Sequence, residues 1–218
     1  MRVAILGAGR IGGNVARRLV AAGHEVHVAF ARDAAKLEAL AGEIGATAAA
    51  PAEAVAAAEV VVLSVPWGVI DAALAEAGSL AGKVVVDTTN QFGPGPKPVE
   101  GQTAAALNAA RMPGARYTKS FNTLTSAFQA EAATRPPGRR AVQWLCGDDE
   151  EAKAIVAALI TEAGYEPVDL GGIDGCAVME APRRDGAVYG EEWRLPEAAD
   201  VVAAVRAGRP IPPTPRYE

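Results

Sequence analysis

Cysteine and histidine are scarce in this sequence, with two of each among 218 residues. Cys146 and Cys176 form no C-x-x-C pair, and His24 and His27 stand three apart near the start of an apolar segment. Neither set offers the clustered ligands of a zinc site, so no metal centre is expected. The cysteines are expected to be reduced, half-buried thiols of a cytosolic protein rather than a disulfide. A basic excess is also missing. Lys and Arg total 21 against 26 Asp and Glu, a net charge of −5. That balance argues against a nucleic-acid partner, whose phosphates need a positive surface. Long hydrophobic runs are missing too: Val60 to Val65, the longest strongly apolar stretch, is far below the roughly 20 residues of a membrane span. Met1 to Gly7 reads as a strand starting at once rather than a signal peptide. The expectation is a cytoplasmic protein with no membrane partner. Hydrophobic residues, by contrast, make up 50% of the chain, enough to bury a core and exclude wholesale disorder.

Strand-like and helix-like segments alternate from the first residue. Val3–Leu6 is a short apolar run ending in glycine, and Arg10–Ala22 carries Ile11, Val15, Leu19 and Ala22 at helical spacing. The alternation continues with strands at Glu25–Phe30, Ala46–Ala48, Val60–Val65, Lys83–Asp87 and Tyr117–Ser120. Helices fall between them at Asp33–Leu40, Pro51–Ala58 and Val69–Ala77, and after the last of them at Leu124–Ala132. Repeated βα units predict an α/β fold, a doubly wound parallel sheet of Rossmann type covered by helices on both faces. The breaker cluster Arg135–Arg140 is the best internal boundary, in what reads as one dinucleotide-binding domain over residues 1–218. Past it, strand 141–146, helix 148–163 and strand 166–170 form a βαβ-like unit that extends the sheet, followed by a helical tail over 196–208. Residues 141–218 would thus complete the sheet and supply the acceptor and dimer side. Gln91–Pro98, with four Pro and Gly alternating, is a loop directly after a strand, where parallel sheets bind ligands, and it reads equally as a rigid surface connector.

Gly7-Ala8-Gly9-Arg10-Ile11-Gly12 fits G-x-G-x-x-G. Alone the pattern is weak, but here an apolar strand ends at Leu6 and an amphipathic helix begins by Arg10, the context of a dinucleotide site. Gly7 permits the tight turn, Gly9 lets the backbone approach a pyrophosphate, and Gly12 allows close helix–strand packing. The helix start offers unpaired N–H groups and about half a unit of positive charge to the phosphates. An NAD site usually places Asp or Glu about 20 residues further on, for the ribose hydroxyls. This chain has Ala29-Phe30-Ala31-Arg32 there, with Lys36 one turn later. Arg32 and Lys36 could clamp a 2′-phosphate, which favours NADP. In the competing reading they form a solvated helix face and Asp33 takes the ribose. Ser64-Val65-Pro66-Trp67 follows a buried strand where the nicotinamide half would arrive, and it also reads as a capped helix entry with a packed indole.

These segments, together with Ala22–Val26, Val84–Asp87, Lys119-Ser120-Phe121-Asn122-Thr123 and Cys146–Asp149, resemble the deazaflavin-dependent NADP reductases (coenzyme F-420:NADP oxidoreductase) and related NADP-binding oxidoreductases. The resemblance spans residues 1 to about 173. It implies a small dimeric enzyme that moves hydride between NADP(H) and a flavin, deazaflavin or other small-molecule acceptor. It further implies that Arg32 and Lys36 meet the 2′-phosphate, and that Val65-Pro66-Trp67 and Asn122 line the nicotinamide. Where the family often has Ser before the arginine, Ala31 stands here and removes one phosphate donor. No catalytic residue is assigned. Asp87, Lys119 and Glu180 are the titratable residues near site positions, each read first as part of a strand-end turn or surface ion pair. The pairs Arg139-Arg140 and Arg183-Arg184 read first as solvated surface. The alternative of another class is a non-catalytic NADP-binding module, a redox sensor or partner subunit.

Overall fold

Short runs of β-branched residues build the sheet of the computed structural model, which describes residues 1–217; Glu218 lies outside the described residues. The strands are β1 (Arg2–Leu6), β2 (Glu25–Ala29), β3 (Thr47–Ala48), β4 (Val60–Leu63), β5 (Val84–Asp87), β6 (Arg116–Lys119), β7 (Val142–Gly147) and β8 (Glu166–Asp169). They form one sheet in the order β3-β2-β1-β4-β5-β6-β7-β8. The helices are α1 (Arg10–Ala21), α2 (Ala34–Ile44), α3 (Pro51–Ala57), α4 (Ile70–Ala77), α5 (Ala104–Ala110), α6 (Ser126–Ala132), α7 (Glu150–Glu162) and α8 (Leu195–Arg206). This is the doubly wound α/β fold of Rossmann type. Because side chains alternate across a strand, β1 sends Ala4 and Leu6 into the core on one face and Val3 and Ile5 into the core on the other. The runs Val60–Leu63 and Val84–Val86 do the same, so both faces of the sheet are buried beneath helices.

Helix ends follow local chemistry. Asp33 caps α2 by accepting from the Lys36 amide at 3.2 Å, and Gly45 closes that helix in the left-handed region at φ 78°. Pro51 opens α3, and Asp149 caps α7. Helix α5 and the 3-10 helix Ile173–Met179 are not marked by sequence periodicity. Both are only seven residues long, about two turns, which is too short for an apolar stripe to repeat.

The last strands depart from the parallel rule. β7 runs antiparallel to β6 and overlaps it only at Thr118–Gly147 and Lys119–Cys146. Most of β7, and β8 parallel beside it, therefore extends past the carboxyl end of β6. The chain from Gly172 to Gly190 follows β8 and returns over that end, anchored by the Gly190 amide on the Thr123 carbonyl at 2.7 Å. A continuous apolar strand reads identically in either direction, so the reversal carries no sequence signature. The Arg135–Arg140 breaker cluster lies between β6 and β7, which nevertheless pair in one sheet.

The cysteine expectation is corrected. Cys146 on β7 and Cys176 in the 3-10 helix form a disulfide, with Cα atoms 5.9 Å apart and both side chains fully buried. Proximity in the fold, invisible in a 30-residue separation, brings the two sulfurs together. Closing a loop of this size is worth about 3–4 kcal/mol in the chain-entropy account. Urea unfolding with and without reductant should differ by that amount; superimposable curves would show that the bond contributes nothing.

Candidate functional site: two joined cavities at the carboxyl edge of the sheet

The glycine turn is built against β4. Gly7, at φ 94°, donates to the Ala29 carbonyl at 2.8 Å, and a Cβ there would lie 2.5 Å from the Ser64 carbonyl oxygen. A Cβ on Gly12 would overlap the Gly7 carbonyl oxygen and reach 3.0 Å from the Ser64 Cβ. Turn, helix and strand thus close on one another through these two residues. Gly9 differs: a Cβ there meets nothing within 4 Å, and no side chain caps α1, whose first residue is Arg10. Open space in front of uncapped amides at a helix start is the cradle that a diphosphate requires.

Two cavities meet at this cradle, sharing Gly9, Ser64, Val65 and Pro66. The first, of about 710 Å³, runs from Gly7 and Ala8 along Phe30, Ala31, Arg32 and Lys36. The Asp33 carboxylate caps α2 and also pairs with the Lys36 ammonium at 3.4 Å. Arg32, exposed, has no hydrogen-bond or ion-pair partner among the described residues. Of the two readings of this corner, the geometry favours Arg32 as the open cationic group and gives Asp33 a structural task. Lys36 is largely solvent-exposed and already has one anionic neighbour.

The second cavity, of about 510 Å³, is lined by Arg10, Ile11, Val65, Pro66 and Trp67 on one side and by Thr88–Asn90, Phe92, Phe121, Asn122 and Tyr189 on the other. Trp67 is almost fully buried and its Nε1 donates to the Pro96 carbonyl at 2.8 Å, so the indole both walls the cavity and ties down the 91–98 loop. Phe30 (φ 59°) and Phe121 (φ 57°) hold left-handed backbone conformations just past strand ends, one in each cavity. Such conformations cost roughly 1–3 kcal/mol in a non-glycine residue and concentrate at functional sites.

Asn122 is fixed by reciprocal contacts. Its Nδ2 donates to Asn90 Oδ1 at 3.1 Å and to the Met179 carbonyl at 2.7 Å, while Asn90 Nδ2 donates to the Asn122 carbonyl at 2.8 Å. Its Oδ1 is buried without a partner in a residue of the cavity wall.

Beneath this wall lies a buried charge network: of the strand-end turn or surface ion pair expected of Asp87 and Lys119, the turn is present and the ion pair is buried. Asp87 Oδ2 accepts from Tyr117 Oη at 2.6 Å, Asn108 Nδ2 at 2.8 Å and Lys119 Nζ at 3.4 Å. Asp87 Oδ1 accepts from the Thr89 amide at 2.7 Å, and Lys119 Nζ donates to the Thr89 carbonyl at 2.7 Å. Burial would push the Asp87 carboxyl up. The Lys119 charge and the three hydrogen bonds outweigh it and hold the group below the usual carboxylate range. Burial, then the Asp87 charge, raises Tyr117 well above its ordinary value. Neither Asp87 nor Lys119 lines a cavity, so they hold the Thr88–Asn90 wall in place rather than meeting a ligand. Glu180, also expected in a turn or surface pair, receives the Ala104 and Ala105 amides at 2.9 and 2.6 Å and so secures the start of α5. Arg183 pairs with Glu191, and Arg184 donates to the carbonyls of Ala177, Glu180 and Pro182, so this pair staples the 177–191 segment while staying exposed. Among the described residues no cluster of His, Cys, Asp and Glu could hold a metal.

Residues 2–91, which carry the glycine turn, Arg32 and Ser64–Trp67, match the family described as NADP oxidoreductase, coenzyme F420-dependent. A solved structure assigned as an F420-dependent NADP reductase from Arthrobacter sp. FB24 is 31% identical, with a TM-score of 0.67 over 79% of this chain and 86% of that one. The chain belongs to this family. A hypothetical protein from Sinorhizobium meliloti is 29% identical with a TM-score of 0.78, over 89% of this chain and 96% of that one. The reductive aminase of Aspergillus terreus, solved with NADPH, is 28% identical with a TM-score of 0.60, over 81% of this chain and 57% of the aminase. The metalloreductase STEAP3 of Rattus norvegicus is 31% identical over 186 residues. The chain spans about a third, 36%, of that metalloreductase. All three named activities are NADP-dependent or reductive, and the family is one of NADP-dependent oxidoreductases. No helix among the described residues is long and apolar enough to cross a membrane.

Among the lining residues, Tyr189, Asn90 and Thr88–Thr89 carried no signal in the sequence. They reach the cavity through the returning 172–190 segment and the end of β5, placements that depend on the whole sheet being assembled.

Proposed function

We propose that this chain is an NADPH-dependent oxidoreductase that passes hydride between NADP(H) and a flat, ring-bearing small acceptor of flavin or deazaflavin type, or another small molecule. The observation that carries the reading is the pair of cavities joined at Gly9, one ending at unengaged Arg32 and the other lined by Trp67, Phe121 and Asn122. Gly7, Ala8, Gly9, Arg10, Ile11 and Gly12 would hold the diphosphate on their backbone, and Ala31, Arg32 and Lys36 the ribose-phosphate corner. Ser64, Val65, Pro66, Trp67 and Asn122 would hold the nicotinamide end. When bound, the reduced ring supplies a hydride. The apolar wall of Val65, Pro66, Trp67 and Phe121 excludes water around it, and Asn122, held rigid by Asn90 and the Met179 carbonyl, would help fix the ring's orientation. Phe92 is more than half exposed at the cavity wall and offers a flat ring an apolar platform.

The cofactor half of this reading is tested by Arg32→Ala. A charge-assisted hydrogen bond contributes about 1.5–3 kcal/mol, so NADPH affinity should fall roughly 10–150-fold by calorimetry while NADH affinity stays within about twofold. Equal losses for both coenzymes would show that Arg32 does not read the 2′-phosphate.

A further inference from the structure

The acceptor half of the second cavity contains one hydroxyl of notable chemistry that the reading above leaves idle. Tyr189 sits in a segment pinned on both sides: the Val188 amide donates to the Val178 carbonyl at 2.8 Å and the Gly190 amide to the Thr123 carbonyl at 2.7 Å. Ala187 and Val188 are buried beneath it, so the tyrosine is held on the cavity wall rather than on a loose loop. Its ring lies 6.3 Å from that of Phe92, the two tilted at 58°. Its hydroxyl has no hydrogen-bond partner among the described residues.

The neighbouring hydroxyls are aliphatic alcohols, far weaker acids than a phenol. Thr88 Oγ1 also donates within the wall to the Leu63 carbonyl and Ser64 Oγ, while Thr89 Oγ1 accepts from Asn108 and Thr125 Oγ1 accepts from the Phe128 amide at the start of α6. Asn90 and Asn122 hold each other. Ser126, which also lines the cavity, has an alcohol's weak acidity and does not readily give a proton. The buried acid and base, Asp87 and Lys119, do not reach the cavity.

We propose that Tyr189 delivers the proton that completes reduction of the acceptor. This rests on reading the cavity as the nicotinamide and acceptor site. Reduction of a polar double bond needs a hydride at one atom and a proton at the other. As the bond from the dihydronicotinamide carbon to its hydrogen breaks, the hydrogen and its electron pair form a new bond to the acceptor. The acceptor's π pair moves to its electronegative atom, which takes the proton as the Tyr189 O–H bond breaks. The coenzyme is oxidised by two electrons, the acceptor is reduced by two, and water returns a proton to the phenolate. Partial burial raises the Tyr189 phenol above its ordinary value, so it carries its proton at neutral pH.

The test compares the wild-type protein with Tyr189→Phe, which keeps the ring packed on Phe92. NADPH affinity is measured by calorimetry, FMN affinity of the NADP⁺ complex by fluorescence quenching, and NADPH oxidation with FMN and with cyclohexanone as probes. The proposal expects both affinities and the KM for NADPH to change less than about twofold, with kcat on a reduced probe falling about 100-fold. It also expects the wild-type alkaline decline in kcat to be absent in the variant. Equal kcat for the two proteins overturns the proposal and leaves the cofactor reading intact. Saturable NADPH binding with no reduction of either probe overturns it too. Failure of the wild-type protein to bind NADPH overturns the cofactor reading and this proposal with it.

Discussion

Gly12→Ala is expected to abolish productive NADPH binding, raising its Kd at least about 100-fold. The new methyl would overlap the Gly7 carbonyl oxygen and press on the Ser64 side chain, so α1 must move away from the turn. Overpacking of this kind costs roughly 1–3 kcal/mol of stability. Displacing a helix start by about an ångström is enough for a 100-fold loss where a ligand is held by aligned backbone amides. Gly13→Ala, one residue along the same helix, is the control. A Cβ there comes no nearer than 3.6 Å to the Ala8 carbonyl oxygen, an ordinary contact. That variant should bind normally and gain up to about 1 kcal/mol from helix propensity. Calorimetry and thermal melts on the two proteins decide it. Unchanged NADPH affinity in Gly12→Ala would mean that the close approach of turn and helix is not what shapes the site.

The second large effect is on stability. Lys119→Met should cost about 3–5 kcal/mol near neutral pH, because it leaves the Asp87 carboxylate buried with its hydrogen bonds but no countercharge. The pH dependence has a definite sign. Asp87 is held below the ordinary carboxylate value in the folded protein, so its contribution is fully present above the unfolded value of about 3.9 and is lost as pH falls through the lower folded value. In the variant the carboxyl can protonate and shed its charge. The gap between the two proteins in urea unfolding should therefore be widest near neutrality and narrow below about pH 4. A gap that stays constant with pH would show that lost packing, not stranded charge, is responsible.

What was legible in the sequence follows from how local each signal is. The glycine motif is confined to six residues between an apolar strand and an amphipathic helix, and the structure puts its turn where such a motif should lie. Val60–Leu63 and Val84–Val86 announced strands buried on both faces, and the Asp33 cap was visible as an acidic residue ahead of a helical run. Facts that depend on residues far apart were not legible. Strand β7 reverses direction, Cys146 meets Cys176, and Lys119 turns inward to Asp87. Lys119 in particular looks like a solvated strand-end residue until Tyr117, Asn108 and the Thr89 carbonyl are placed around it. Tyr189 reaches the cavity only because a segment beginning past β8 folds back over the end of β6.

These observations give the fold a clear division of labour. The amino-terminal strands and α1 present backbone amides and Arg32, elements that need no side-chain chemistry beyond charge. The ends of β5 and β6 wall the opposite side, and the segment after β8 adds Tyr189 and the Met179 carbonyl that orients Asn122. A truncation ending before Gly172 would thus leave the glycine turn in place while removing Tyr189 and the Met179 anchor of Asn122 from the second cavity.

The central claim is that uncapped amides beyond Gly9 and the cation at Arg32 together bind a phosphorylated dinucleotide. Titration calorimetry of the purified wild-type protein with NADPH and with NADH addresses it most directly. The account predicts saturable binding at one NADPH per chain, tighter than NADH by at least about 10-fold, the margin one charge-assisted contact supplies. Equal affinity for the two, or no heat from either at millimolar concentration, would contradict it.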